Sequence, residues 1–286
     1  MSEHKIPREA LQKICENVDG KCGLYVSVPE TGERFVYNGD MVFGAASTIK
    51  IPMLALLFQD AQEGRVDLSK KKQVKPENRV RGSGILLSLS PDLELSLFDL
   101  ANLMIVMSDN SATNEVADAV GLDRVRQFCR DNGYLNTWMW RKMFFTGPLP
   151  EPQVPEGMPN NAVTASDLGR LMESIAAGTC VSPEASRKMV QIMAGQRLAR
   201  LRTLLPYTER VNPFADQLEL PPEGRVVVAS KGGTLTGPPA IAHDAAIFYL
   251  PDGRYYVMVM CTQSSGLTEA TKRINEAGLV MYEAMK

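Results

Sequence analysis

The sequence predicts an α+β fold: one antiparallel β-sheet built from both ends of the chain and flanked by helices, with an all-α domain inserted between the two halves. Three observations lead there. Strand-like apolar runs occur near the N-terminus and again near the C-terminus, the stretch from about Arg65 to Phe214 reads almost wholly as helix or loop, and a helical pattern both opens and closes the chain. Strands placed so far apart bury their apolar faces most economically by pairing in one sheet, with the helical stretch set beside it. This divides the chain into a sheet domain of residues 1–64 and 216–286 and a helical domain of residues 65–215.

Element by element, Pro7 to Val18 has the spacing of an amphipathic helix. Gly23 to Val28 and Glu33 to Tyr37 are β-rich runs joined by the turn residues Glu30, Thr31 and Gly32, a hairpin signature. From Ser47 to Glu63 the pattern is helical and very apolar, and Gly64 supplies the stop. Within the middle, Ser96 with Asp99 and Thr164 with Asp167 have capping-box spacing, and Ser182 precedes a proline suited to a first helical position. After Pro221-Pro222 come three strand-like runs, Arg225 to Ala229, Ala245 to Leu250 and Tyr255 to Thr262, the last two joined by Pro251-Asp252-Gly253. A helix from Thr268 to Met285 ends the chain. The cleft between sheet and helical part is the expected site.

Composition narrows the ligand. The 31 Lys+Arg against 33 Asp+Glu leave a net charge of −2, so no basic excess points to nucleic acid, and a small molecule is the expected partner. The Lys70-Lys71-Lys72 run with Lys75 reads as a solvated loop. The apolar run Ile51 to Phe58 is far shorter than the roughly 20 residues that span a bilayer. The first twenty residues carry no h-region or cleavage site, so a cytoplasmic location is expected, or a secreted one if a leader is missing. Five scattered cysteines without a CxxC pair read as reduced thiols, and with only two histidines neither metal nor cofactor is expected. Oligomeric state stays open.

Three motifs carry the chemistry. Ser47-Thr48-Ile49-Lys50 is an SxxK at the start of the apolar helix, where a spacing of three sets hydroxyl and amine one turn apart. A serine needs a neighbouring base, and lysine serves only when neutral, which burial against Ile51 and Leu54 and a nearby positive charge favour. Ser2 with Lys5 and Ser69 with Lys72 have the same spacing, so context must select Ser47. Ser108-Asp109-Asn110 closes the helix that begins at Ser96, and Lys231-Gly232-Gly233 follows the strand ending at Ala229.

Together these match the SxxK, SDN and KTG set, and the chain resembles the class A β-lactamases and their penicillin-recognising relatives, with Gly82 to Leu86 and Ala112-Thr113-Asn114 adding to the likeness. The resemblance implies Ser47 as nucleophile, Lys50 as its base and Ser108 as proton relay to the leaving group. It implies Lys231 as a fixed cation, Asn110 as the grip on a substrate amide carbonyl, and the N–H groups of Ser47 and Thr234, beside Gly233, as the oxyanion hole. Asp109 reads as structural and Asn114 as a tie to neighbouring loops.

Two departures bear on function. The class A glutamate that activates a deacylating water has no counterpart in Arg141-Lys142-Met143-Phe144-Phe145 or the Pro-rich stretch after it, although Glu151 and Glu156 lie there as ordinary loop carboxylates. Gly232 stands where relatives have Thr or Ser, which weakens the grip on a substrate carboxylate. Phe144, Phe145, Trp138 and Trp140 nearby suggest an apolar acyl or leaving group. The reading that follows is a serine hydrolase or acyltransferase cleaving an amide or ester through a Ser47 acyl-enzyme. The alternatives are a true class A β-lactamase and a weakly active or silent penicillin-binding sensor. A Ser-His-Asp enzyme built on His243 and Asp244 is a poor fourth, since no GxSxG elbow exists.

Overall fold

Residues 5–145, 154, 156–208, 212, 214–215 and 217–286 are described by the computed structural model. Helix α1 (Arg8–Glu16) leads into the hairpin β1 (Gly20–Val28) and β2 (Glu33–Tyr37). A short strand β3 (Phe43–Gly44) and a 3-10 turn (Ala46–Ile49) precede α2 (Lys50–Gln62). The middle carries β4 (Lys71–Gln73), β5 (Glu94–Ser96), α3 (Leu97–Val106), α4 (Asn110–Val120), α5 (Leu122–Asp131), β6 (Trp138–Met139), β7 (Asn161–Val163), α6 (Ala165–Ala176) and α7 (Pro183–Ala194). Strands β8 (Val227–Leu235), β9 (Ala240–Tyr249) and β10 (Tyr255–Ser264) and helix α8 (Leu267–Met285) complete it.

The α+β expectation holds. Five strands form one antiparallel sheet in the order β2-β1-β10-β9-β8, so the first and last strands of the chain meet at its centre, Gly20 opposite Ser264 and Ser27 opposite Val257. Strand alternation sorts the side chains to two cores. Leu24, Val26, Phe248, Met258 and Met260 face α1 and α8, whose Leu11, Ile274 and Met281 cover them. Tyr25, Val227, Ala245, Ile247, Val257 and Val259 face the helical middle. With both faces covered, these strands read as continuous apolar runs rather than as alternation.

Helix α2 is buried on every side, from Ile51 through Phe58, so it serves as the axis of the second core. Its first residue is Lys50, which is thereby carried into a dry interior.

The middle is not purely helical. Two short ladders, β4 with β5 and β3 with β7 and β6, lie within or reach into it. Strands of two or three residues are too short to show a period in sequence. Strand β8 also runs on through Lys231, Gly232 and Gly233 to Leu235 instead of stopping near Ala229. It is an edge strand, where glycine and polar residues are tolerated and mask the signal. All five cysteines are unpaired and buried, and no helix among the described residues is long and apolar enough to cross a membrane.

Candidate active site

Ser47 lies on the 3-10 turn just ahead of α2 rather than inside the helix. The turn is locked by hydrogen bonds to its main chain. Ala45 N–H donates to Asn161 O at 2.8 Å, Thr48 Oγ1 donates to Ala45 O at 2.6 Å, and His243 Nε2–H donates to Gly44 O at 2.9 Å. Ala46 takes φ +45°, a left-handed conformation that costs an alanine of order 1 kcal/mol and persists only where its surroundings enforce it. Strand β8 runs against this turn: a Cβ added at Gly233 would stand 3.1 Å from Ser47 N and 3.1 Å from the Ala46 methyl. Glycine is what lets the strand approach so closely.

The SDN segment joins α3 to α4. Ser96 and Asp99 form the full capping box expected at the start of α3. Asp109 is the N-cap of α4: one oxygen accepts from Ala112 N–H at 2.9 Å, and the other from Ile85 and Leu86 N–H at 2.6 and 2.9 Å. Its role is structural, as expected. Ser108, immediately before it, is held at φ +53°, and its side chain turns toward Lys50 and Lys231.

Lys50, Ser108, Asn110 and Lys231 form one buried network. Lys50 Nζ lies 2.8 Å from Ser108 O, 3.0 Å from Asn110 Oδ1 and 3.2 Å from Ser108 Oγ. Lys231 Nζ lies 3.1 Å from the same Ser108 Oγ and donates to Gly232 O at 2.6 Å. Both lysines are fully buried. Burial, reinforced by the Lys231 charge and only partly offset by Asp109, holds the Lys50 amine well below the ordinary lysine range. Lys231 is lowered to about 7 by burial, with Asp244 opposing and Arg200 adding to the shift. A neutral Lys50 has two hydrogens for Ser108 O and Asn110 Oδ1 and a lone pair for the Ser108 hydroxyl, which in turn accepts from Lys231.

Ser47 departs from the expected dyad in its bonding as well. No hydrogen bond joins its half-buried hydroxyl to Lys50, whose partners are instead Ser108 and Asn110. The 3-10 turn, not a continuous helix, sets the approach of the two side chains.

Sequence reasoning missed Arg200. Its guanidinium donates to Thr234 Oγ1 and, at 3.4 Å, to His243 O, while its N–H and that of Leu201 donate to the buried Asp244 carboxylate at 2.6 and 2.8 Å. A Cβ at Gly232 would come within 3.2 Å of Arg200 Nη1 and 3.0 Å of Leu198 O, so the loop before β8 fills the room a Thr or Ser would use. No spacing rule ties an arginine in a loop to a strand more than 25 residues later.

Several of the remaining residues singled out in the sequence are held by local contacts. Asn114 clamps Met143 at both ends, accepting from Met143 N–H at 2.8 Å and donating to Met143 O at 3.1 Å. Trp138 donates to Pro159 O at 3.0 Å and Trp140 lies 3.7 Å beneath the Arg126 guanidinium, so both are taken up in structure. Ser69 caps its own turn on Asp67, and Lys72 is ion-paired with buried Glu115 at 2.6 Å, so that SxxK spacing holds no dyad. Ser2 and Glu151 lie outside the described residues, and Glu156 is exposed. His243 and Asp244 point to opposite faces of β9. Buried His243, lowered to about 4 by desolvation, accepts from Thr262 N–H and donates to Gly44 O. Among the described residues there is no Ser-His-Asp array, and no His, Cys, Asp and Glu cluster is able to hold a metal.

Known proteins place the chain in context. The model of a family described as the beta-lactamase enzyme family matches residues 6–285. Beta-lactamase CARB-4 of Pseudomonas aeruginosa is 26% identical over 207 residues, 68% of this chain and 67% of that protein. The β-lactamase structure from Sphaerobacter thermophilus superposes with a TM-score of 0.81 at 28% identity, covering 98% of both chains. The structure of PBP-A superposes at 0.77 with 26% identity over 98% of this chain and 99% of that one, and a mutant of it has been solved as an acyl-enzyme complex with penicillin G.

Proposed function

The chain belongs to the beta-lactamase enzyme family, whose general chemistry is a serine acyl-enzyme, and we propose that Ser47 is the serine it uses on a small-molecule amide or ester. In this reading neutral Lys50 takes the Ser47 proton, directly or through Ser108, as the hydroxyl attacks the carbonyl carbon. The N–H groups of Ser47 and Thr234 receive the oxyanion. Collapse breaks the bond to the leaving group, which gains a proton from Ser108, resupplied from Lys50. Asn110 Nδ2, now on Arg81 O at 3.3 Å, turns to the substrate's amide carbonyl. Lys231 and Arg200 present positive charge to an anionic leaving portion. The observation that carries this reading is the buried Lys50 amine, held well below the ordinary lysine range and 3.2 Å from the Ser108 hydroxyl that relays the proton.

Hydrolysis of the acyl-enzyme is slow for penicillins in this proposal, because no carboxylate among the described residues bonds Lys50, Ser108, Asn110 or Lys231 and the 141–145 loop has none. Small activated esters turn over faster, with Lys50 serving both half-reactions. Steady-state assays with nitrocefin and p-nitrophenyl esters test it. Nitrocefin hydrolysis at kcat/KM of about 10⁶ M⁻¹s⁻¹ would favour an efficient β-lactamase instead, with Glu151 and Glu156 the first residues to mutate. Five unpaired thiols support a cytoplasmic setting, which cell fractionation tests.

A further inference from the structure

Three non-glycine residues near the cleft take left-handed backbone conformations: Ala46 beside the nucleophile, Ser108 on both lysines, and Phe144 at φ +54°. The first two belong to the machinery already described. The third does not.

Phe144 is strained without being packed, since 53% of it is exposed, so core burial does not repay its conformation. Its position is imposed by the two residues before it. Met143 before it is clamped by Asn114, and Lys142 is held by Asn78 at 3.1 Å and by Asp118. The Arg81 guanidinium stands 6.0 Å over the ring. Gly82 then fixes where the ring lies relative to the site. A Cβ at Gly82 would fall 2.6 Å from Phe144 Cε2 and 2.6 Å from Asn110 Nδ2, so ring and amide lie within about 5 Å of each other. Gly82, at φ +98°, keeps open the seam between them.

We infer that Phe144 is a specificity-determining residue, a platform for an aromatic or bulky apolar substituent carried on the substrate's acyl side. This rests on the proposed Ser47 acyl-enzyme. A substrate whose amide carbonyl meets Asn110 Nδ2 places the substituent next to that carbonyl against the ring, where aromatic contact and exclusion of water favour binding.

The test uses the p-nitrophenyl esters of N-acetylglycine and N-(phenylacetyl)glycine, which share ester and amide and differ in the phenyl group. Nitrophenol release is followed, and intact mass and peptide mapping report the label on Ser47. The wild type should prefer the phenylacetyl ester by roughly tenfold in kcat/KM. Phe144→Ala and Phe144→Gly should reduce that ratio to near one while leaving the acetyl ester unchanged, and Phe144→Leu should restore part of it. Phe144→Gly should also keep or raise the melting temperature, because glycine relieves the left-handed strain. A wild type that labels Ser47 but shows no preference, or a ratio that survives Phe144→Ala, overturns this inference and leaves the acyl-enzyme reading standing. Failure of both esters and of a fluorophosphonate to label Ser47 overturns both.

Discussion

Two buried lysines on one serine hydroxyl constrain what each can be. Two adjacent ammonium groups in a dry site are costly, so one gives up its proton, and burial beside the Lys231 charge holds Lys50 well below the ordinary lysine range. The proposed mechanism needs that assignment, neutral Lys50 as base and cationic Lys231 toward an anionic substrate. Acylation by a carboxylate-bearing substrate should therefore rise on the acid side as Lys50 loses its proton and fall as pH climbs through about 7, where Lys231 loses its own. Lys231→Arg keeps the charge and should remove the falling limb, whereas a neutral ester should not show that limb even in wild type. A rate–pH profile unchanged by Lys231→Arg would contradict the assignment. Ser47→Ala should lose acyl transfer by a factor on the order of 10⁴ or more, since no other hydroxyl replaces it. Ser69→Ala, at the other described SxxK spacing, should assay as wild type.

The elements deliver these residues by close approach. Strand β8 reaches the nucleophile turn only because Gly233 has no side chain. Gly233→Val should push an edge strand outward and cost on the order of 10²-fold in acylation, with little change in melting temperature. His243 works from the neighbouring strand, tying β9 to Gly44. Its folded-state value is depressed from 6.5 to about 4, so the stability it contributes is fully present above about 6.5 and is lost as pH falls toward 4. The loss should approach ~3 kcal/mol for one buried imidazole, read by denaturant unfolding across that range; a flat profile would show the ring is not buried neutral. Much of this scale was legible in sequence: Ser96 and Ser182 cap the helices their spacing announced. The 3-10 turn under Ser47, the extension of β8 and strands β3 to β7 were not, because each depends on partners far along the chain and not on local periodicity.

At the scale of the molecule, three segments widely separated in sequence meet where the sheet's edge strand crosses the start of a buried helix. Their convergence was readable from three motifs in order; Arg200 was not, since it reaches Thr234 only through the folded loop before β8. The division into residues 1–64 with 216–286 and residues 65–215 remains a proposal. One core nevertheless runs across it, joining Val227, Ile247 and Val257 of the sheet to Leu54, Met104 and Ile192 of the helices. Unfolding should thus be a single transition, with fluorescence and far-UV signals coincident. Two separated transitions would show that the parts fold independently. The most direct test of the central claim is time-resolved intact-mass spectrometry with benzylpenicillin. The acyl-enzyme account predicts addition of the whole penicillin mass, mapped to Ser47, persisting over many minutes and absent in Ser47→Ala. An adduct on another residue, or an unmodified protein that neither acylates nor consumes the penicillin, would contradict it.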